Sequence, residues 1–161
     1  MKRFILAGSL FFCILAVGGA GTAEEEIPGD FTLASLDGKT VSLHDYLHQK
    51  IIVINFWAAW CDACEEEMPL LLNLKNKYAS RKNVVFLGIN AGDSERSAQK
   101  FVEKTGYSYE ILLDHNKSVA RKFRVLGIPQ TLVISREGKI VYRQGRPPED
   151  LRIAEGAESA R

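Results

Sequence analysis

"VINFWAAWCDACEEEMPLLLNL", residues 53–74, decides how this chain folds. Its opening belongs to the longer run "KIIVINFW", residues 50–57, which is continuously apolar and of strand length and composition. Such a run reads as a strand covered on both faces. From Asp62 to about Tyr78 the apolar positions Met68, Leu71, Leu72 and Tyr78 recur at helical spacing. Cys61 therefore stands where a buried strand gives way to a helix, and Cys64 follows three residues later on the same helix face.

That placement dictates chemistry. At a helix N-terminus the free backbone N–H groups and the dipole favour a thiolate over a thiol. Only the thiolate attacks a disulfide, so Cys61 is the natural nucleophile. Cys64 lies within disulfide reach and can resolve a mixed disulfide by attacking the Cys61 sulfur. Other uses of the pair fit less well. A staple closing so short a loop restrains the unfolded chain little. A zinc site needs two more ligands, and the chain has no second closely spaced pair among its three cysteines. Covalent haem attachment would need histidine at position 65, which is Glu65. His44, His48 and His115 show no acid–histidine pattern and read as solvated. No metal and no cofactor beyond the redox-active pair is expected.

Outward from this centre, "DFTLASLDGKTVSL" (residues 30–43) reads as two short strands around Asp37-Gly38, and "HDYLHQ" (44–49) as a short helix. "NVVFLGIN" (83–90) is a second buried strand. "SERSAQKFVEKTG" (94–106) is a helix capped by Ser94 and closed by Gly106. "YEILLD" (109–114) is a strand and "NKSVARKFRV" (116–125) a helix. "QTLVIS", the turn "REGK" and "IVYRQG" (130–145) form a hairpin, and the tail from Arg146 holds one short helix. This order predicts a central mixed α/β sheet with helices on both faces.

The 161 residues suit a single domain, spanning 24–161 with a core from about 27 to 146. A net charge of +1, with 46% hydrophobic and 25% charged residues, is ordinary for a globular protein and leaves no electrostatic footprint for nucleic acid. Residues 1–23 differ. Lys2 and Arg3 precede an apolar run from Phe4 to Val17, then small residues with Gly21 and Ala23 at the −3 and −1 positions of a cleavage site. The layout predicts a secretory signal. Uncleaved, the stretch from Phe4 to Ala23 is about the roughly 20 residues that span a bilayer, giving an N-terminal membrane anchor as the alternative. Cys13 reads as a small apolar residue of this leader. Losing Lys2 and Arg3 and no acid takes the net charge from +1 to −1. Either way the domain is exported, to the periplasm or the extracytoplasmic face of the membrane. One closely spaced pair in such a domain is unlike a disulfide framework.

Here the sequence resembles a family. "NFWAAWCDACEEEMP", then "FLGINAGDS", "VLGIPQTLVI" and "REGKIVYRQG", in that order, are similar to the exported ResA/TlpA/DsbE-like thiol–disulfide oxidoreductases of the thioredoxin superfamily. The resemblance covers about residues 27–146. It implies a thioredoxin fold with an N-terminal β-hairpin extension, and a Cys61–Cys64 dithiol that reduces disulfides in protein substrates. One task it implies is reduction of apocytochrome c cysteines before haem attachment. It also implies a loop at Ile128-Pro129, with Pro129 cis, that packs against the cysteines and pairs its backbone with an extended substrate. Asp93 matches an acidic position that can carry protons near the site, although Asp93 or Ser94 can equally cap the following helix. Asn55 stands where cytosolic thioredoxins keep a buried aspartate. Trp60 is expected to contact substrate and Trp57 to pack inside. Pro69, which gives the Glu65 carbonyl no N–H, should kink its helix.

Two features bear on redox poise. The family usually has proline before the second cysteine, whereas this chain has Ala63, so its potential is not transferable. Asp62, Glu65, Glu66 and Glu67 favour the helix start through its dipole but oppose a thiolate at Cys61. They point to a reductant or weak oxidant most active above neutral pH. A membrane thiol–disulfide donor is expected to re-reduce the pair, and a monomer is expected. The alternatives are a thiol peroxidase-like antioxidant protein, against which stands the missing proline-threonine pattern before Cys61, and a metal or haem chaperone using the thiols as soft ligands.

Overall fold

The computed structural model describes residues 24–155. The leader, Cys13 included, and residues 156–161 of the tail lie outside it. A six-stranded sheet is built from β1 (Glu25–Glu26), β4 (Ile51–Trp57), β5 (Val84–Ala91), β6 (Glu110–Asp114), β7 (Gln130–Ile134) and β8 (Lys139–Gln144), in the order β1-β8-β7-β4-β5-β6. The β4–β5 and β5–β6 pairs are parallel; β4–β7, β7–β8 and β1–β8 are antiparallel. Two further strands, β2 (Thr32–Ala34) and β3 (Thr40–Ser42), form the hairpin extension. It docks on β6, where Ser35 bridges Leu112 and the Leu36 N–H donates to the Ile111 carbonyl at 3.0 Å.

Every residue of β4 is buried, because helices cover both of its faces. Ile52, Ile54 and Phe56 join a core with Val119, Ala120 and Phe123 of and beside α3 (Ser118–Lys122). On the opposite face Trp57 packs with Cys64, Met68 and Leu71 of α1 (Asp62–Lys77) and with Ala98 and Phe101 of α2 (Glu95–Thr105). Val53, also on that face, meets Leu74 at the far end of α1. Side chains alternate across the strand with period two, so Asn55 points to the α1–α2 side.

The expected central elements are all present. Ser94 caps α2 by accepting the Ser97 N–H at 3.2 Å, and Gly106 closes it at φ +70°, a conformation glycine adopts without strain. The helix α1 continues through Pro69 as one element. Among the described residues no helix is long and apolar enough to cross a membrane.

The periphery differs from expectation. The helix read at residues 44–49 is a 3-10 turn over Leu43–Asp45, tied by the Asp45 carboxylate to the Ser42 N–H. A left-handed His48 at φ +63° ends any continuation. The helix read at residues 116–125 is one short turn, α3, stopped by Arg124 at φ +54°. The buried Asp114 carboxylate caps it, accepting from the Val119 N–H at 3.2 Å and the Ala120 N–H at 2.8 Å. The tail helix is a 3-10 turn over Arg152–Ala154. Strand β1 has no counterpart among the elements read from the sequence; its Glu25 pairs with Arg143 at 3.0 Å and its Glu26 with Lys139.

Candidate active site around Cys61 and Cys64

After β4 ends at Trp57, one tight turn, closed by the Cys61 N–H on the Ala58 carbonyl at 3.2 Å, delivers Cys61 to the N-cap of α1. Cys61 and Cys64 form a disulfide with Cα atoms 5.2 Å apart. The Cys61 sulfur accepts the Cys64 backbone N–H at 3.2 Å, so it already sits among the free N–H groups of the helix start. Cys61 is 7% exposed and Cys64 is fully buried. The first sulfur is therefore the one a partner reaches.

The four acids separate into three environments. Asp62 and Glu66 are exposed. Glu65 is ion-paired with Lys104 at 2.7 Å, which offsets its charge. Glu67 turns inward and is only 6% exposed. Its Oε1 accepts from the Asn55 amide at 2.9 Å, whereas its Oε2 has no partner among the described residues. Burial pushes the Glu67 carboxyl from 4.5 up to about 7, with the Asn55 hydrogen bond and the Arg146 charge pulling the other way. Glu67 borders a cavity of about 440 Å³ shared with Ala63, Leu70, Pro129 and Arg146, immediately beside the disulfide.

The Ile128-Pro129 peptide is cis. Ile128 packs against the cluster holding both cysteines, and Pro129 faces Ala63 across the cavity. Trp60 is 65% exposed directly before Cys61, and Trp57 is fully buried, as the sequence implied. In the loop leading to Pro129, Leu126 is 98% exposed.

Asp93 lies where β5 turns into α2, and its Oδ2 accepts from the Ala59 N–H at 2.6 Å and the Asn90 amide at 2.7 Å. It thereby clamps the loop two residues ahead of Cys61, while Ser94 does the capping. His115, expected to be without a partner, places Nδ1 2.9 Å from the Asp93 carbonyl oxygen.

Sequence reasoning grouped Glu67 with the surface acids and so missed the one carboxylate inside. The signal was available: Glu67 is three residues after Cys64 and shares its inward helix face. What the spacing could not supply is its setting. Asn55 donates to Glu67 and to Thr131 at 3.2 Å, and accepts from the Tyr107 hydroxyl at 2.8 Å.

Comparison with known proteins agrees with this geometry. Residues 24–143 match the AhpC/TSA family. The thiol–disulfide oxidoreductase ResA of Geobacillus thermodenitrificans is 34% identical over 111 residues, which are 69% of this chain and 63% of that protein. The match thus spans under two thirds of that relative's length. ResA of Halalkalibacterium halodurans is 32% identical over 133 residues, 83% of this chain and 72% of that protein. The solution structure of a thiol:disulfide interchange protein from Bacteroides sp. superposes with a TM-score of 0.71 at 26% identity, over 87% of this chain and 95% of that one. The chain belongs to the AhpC/TSA family of thioredoxin-like proteins.

Proposed function

We propose that the protein is an exported thiol–disulfide oxidoreductase that reduces disulfides in protein substrates. The observation that carries this reading is the Cys61–Cys64 disulfide at the start of α1, with a partnerless oxygen of buried Glu67 one turn behind Cys64. In the reduced protein the Cys61 thiolate attacks a substrate disulfide. A Cys61–substrate disulfide forms, and one substrate thiolate leaves and takes up a proton. Cys64 then gives up its proton and attacks the Cys61 sulfur, releasing the second substrate thiolate and restoring the Cys61–Cys64 bond. Two electrons pass to the substrate, and a thiol–disulfide donor at the membrane must return them. Glu67, neighbour of Cys64 at i+3 and titrating near neutrality, is suited to take the Cys64 proton.

Ile128 and Pro129 offer the substrate an extended backbone edge, and Trp60 an apolar contact. Asp93 holds the loop that presents Cys61. Reduction of apocytochrome c cysteines fits both the resemblance and the ResA names of the relatives. The export and anchor readings rest on residues 1–23.

The test is catalysed reduction of insulin by dithiothreitol. The protein should accelerate it, Cys61→Ser should abolish the acceleration, and Cys64→Ser should accumulate a mixed disulfide through Cys61 visible by mass spectrometry. No acceleration, together with turnover of hydrogen peroxide, would favour the peroxidase alternative that the family also accommodates.

A further inference from the structure

One buried chain of side-chain hydrogen bonds runs from Tyr107 through Asn55 to Glu67. Tyr107, in the segment between α2 and β6, is 6% exposed and donates its hydroxyl to Asn55 Oδ1 at 2.8 Å. Asn55, in the centre of β4 and 1% exposed, uses its Nδ2 for Glu67 Oε1 and Thr131 Oγ1. The sheet is shaped to admit this reach. Gly88 of β5 lies directly beside Asn55 in the parallel register. A Cβ on Gly88 would come within 2.9 Å of Tyr107 Cε1 and 3.0 Å of its hydroxyl oxygen. Any larger residue at 88 would push the ring away.

We infer that Tyr107 is a positioning residue. Acting through Asn55, it orients the Glu67 carboxylate, holding Oε1 and leaving the buried Oε2 without a partner among the described residues. The Tyr107 hydroxyl donates its proton to Asn55 Oδ1, and with Oδ1 so engaged the amide NH₂ is the end turned toward Glu67. Burial keeps Tyr107 protonated, its pKa lying well above the ordinary tyrosine value. Without that donor the amide can turn, and Glu67 Oε1 loses its hydrogen bond. The groups facing Glu67 are Arg146 and Glu66 at the cavity, Asn55 on β4, Tyr107 and Tyr109 ahead of β6, and Tyr142 on β8. Of these, Asn55 alone hydrogen-bonds the carboxylate among the described residues. The inference rests on the proposed proton transfer by Glu67 only for its effect on turnover.

The experiment follows the Glu67 carboxyl carbon by NMR against pH in the full-length oxidised protein, which requires no enzymatic activity. Tyr107→Phe should raise the Glu67 titration midpoint by about one pH unit. Asn55→Ala should raise it as well, and Tyr107→Phe added to Asn55→Ala should move it no further. A midpoint unmoved in Tyr107→Phe, or moved equally in the Asn55→Ala background, overturns the inference and leaves Tyr107 as a space-filling side chain over Gly88. If Tyr107→Phe does not fold, the unmodified protein decides. The Tyr107 hydroxyl proton should titrate with the Glu67 midpoint, and a hydroxyl signal indifferent to that midpoint overturns the inference too. Failure of insulin reduction in the wild type would count against the proposed function and leave this titration result standing.

Discussion

Glu67 keeps its proton near neutrality because the loss of solvent outweighs what the Asn55 amide and the Arg146 charge give back. The consequence for stability has a definite sign. Between about 4.5, its ordinary value, and about 7, the folded state binds more protons than the unfolded state. Its contribution is therefore whole below about 4.5 and is lost as pH rises through about 7. Glu67→Gln should remove that loss. Urea midpoints should show the variant near wild type at acid pH and about 2 kcal/mol more stable at pH 8, allowing for partial screening. The same variant should slow insulin reduction and flatten its pH profile around neutrality, since the amide cannot take the Cys64 proton. Equal stability differences at both pH values would remove the raised carboxyl from the account.

At the scale of elements, the helices owe their ends to local chemistry and their lengths to backbone turns. Ser94→Ala removes the α2 cap and should cost about 1 kcal/mol in thermal or urea unfolding, with little effect on thiol chemistry. Asp93→Asn should behave differently. Its Oδ2 ties the Ala59 N–H to the start of α2, so loss of the charge loosens the loop presenting Cys61. Alkylation of Cys61 in the reduced protein should change its rate, with a small change in unfolding midpoint. A variant altered in stability alone would make Asp93 structural. The sheet tells a similar story at Gly88. Gly88→Ala should cost more than 1 kcal/mol, because the clash involves the rigid ring of Tyr107 and not only the flexible end of Ile111.

The whole molecule sets the direction of electron flow through the relative stabilities of its two redox forms. Among the described residues Asp62 and Glu66 are exposed and have no ion-pair partner at the start of α1, while Glu65 is offset by Lys104. Unpaired carboxylates there disfavour a Cys61 thiolate, so the reduced form gains none of the stabilisation that marks a strong oxidant. Calorimetry should find the oxidised protein melting above the reduced one. Equilibration against dithiothreitol should give a potential near that of thioredoxin, about −270 mV, rather than the about −120 mV of a strong periplasmic oxidant. The reverse melting order would make the protein a disulfide donor.

The sequence alone determined the core strands, the two long helices and the redox pair. Continuous apolar runs, a 3.6-residue period and a Cys-x-x-Cys at a strand-to-helix junction are local signals that burial on both sheet faces amplifies. The resemblance also separated buried Trp57 from exposed Trp60. Tertiary structure decided what depends on groups far apart in the chain. Strand β1 pairs with β8, where Arg143 and Lys139, more than a hundred residues on, neutralise its two glutamates. Helix α3 is short because Arg124 turns left-handed toward the Ile128-Pro129 loop. Glu67 separates from its neighbouring acids only once α1 lies on β4, where Asn55, itself bonded to Thr131 of β7, meets it, and Tyr107 enters only because Gly88 leaves room. Spacing along the chain can put a carboxylate on the inward face of a helix. Its protonation is set by the water it loses and the donors it gains, and those exist only in the folded protein.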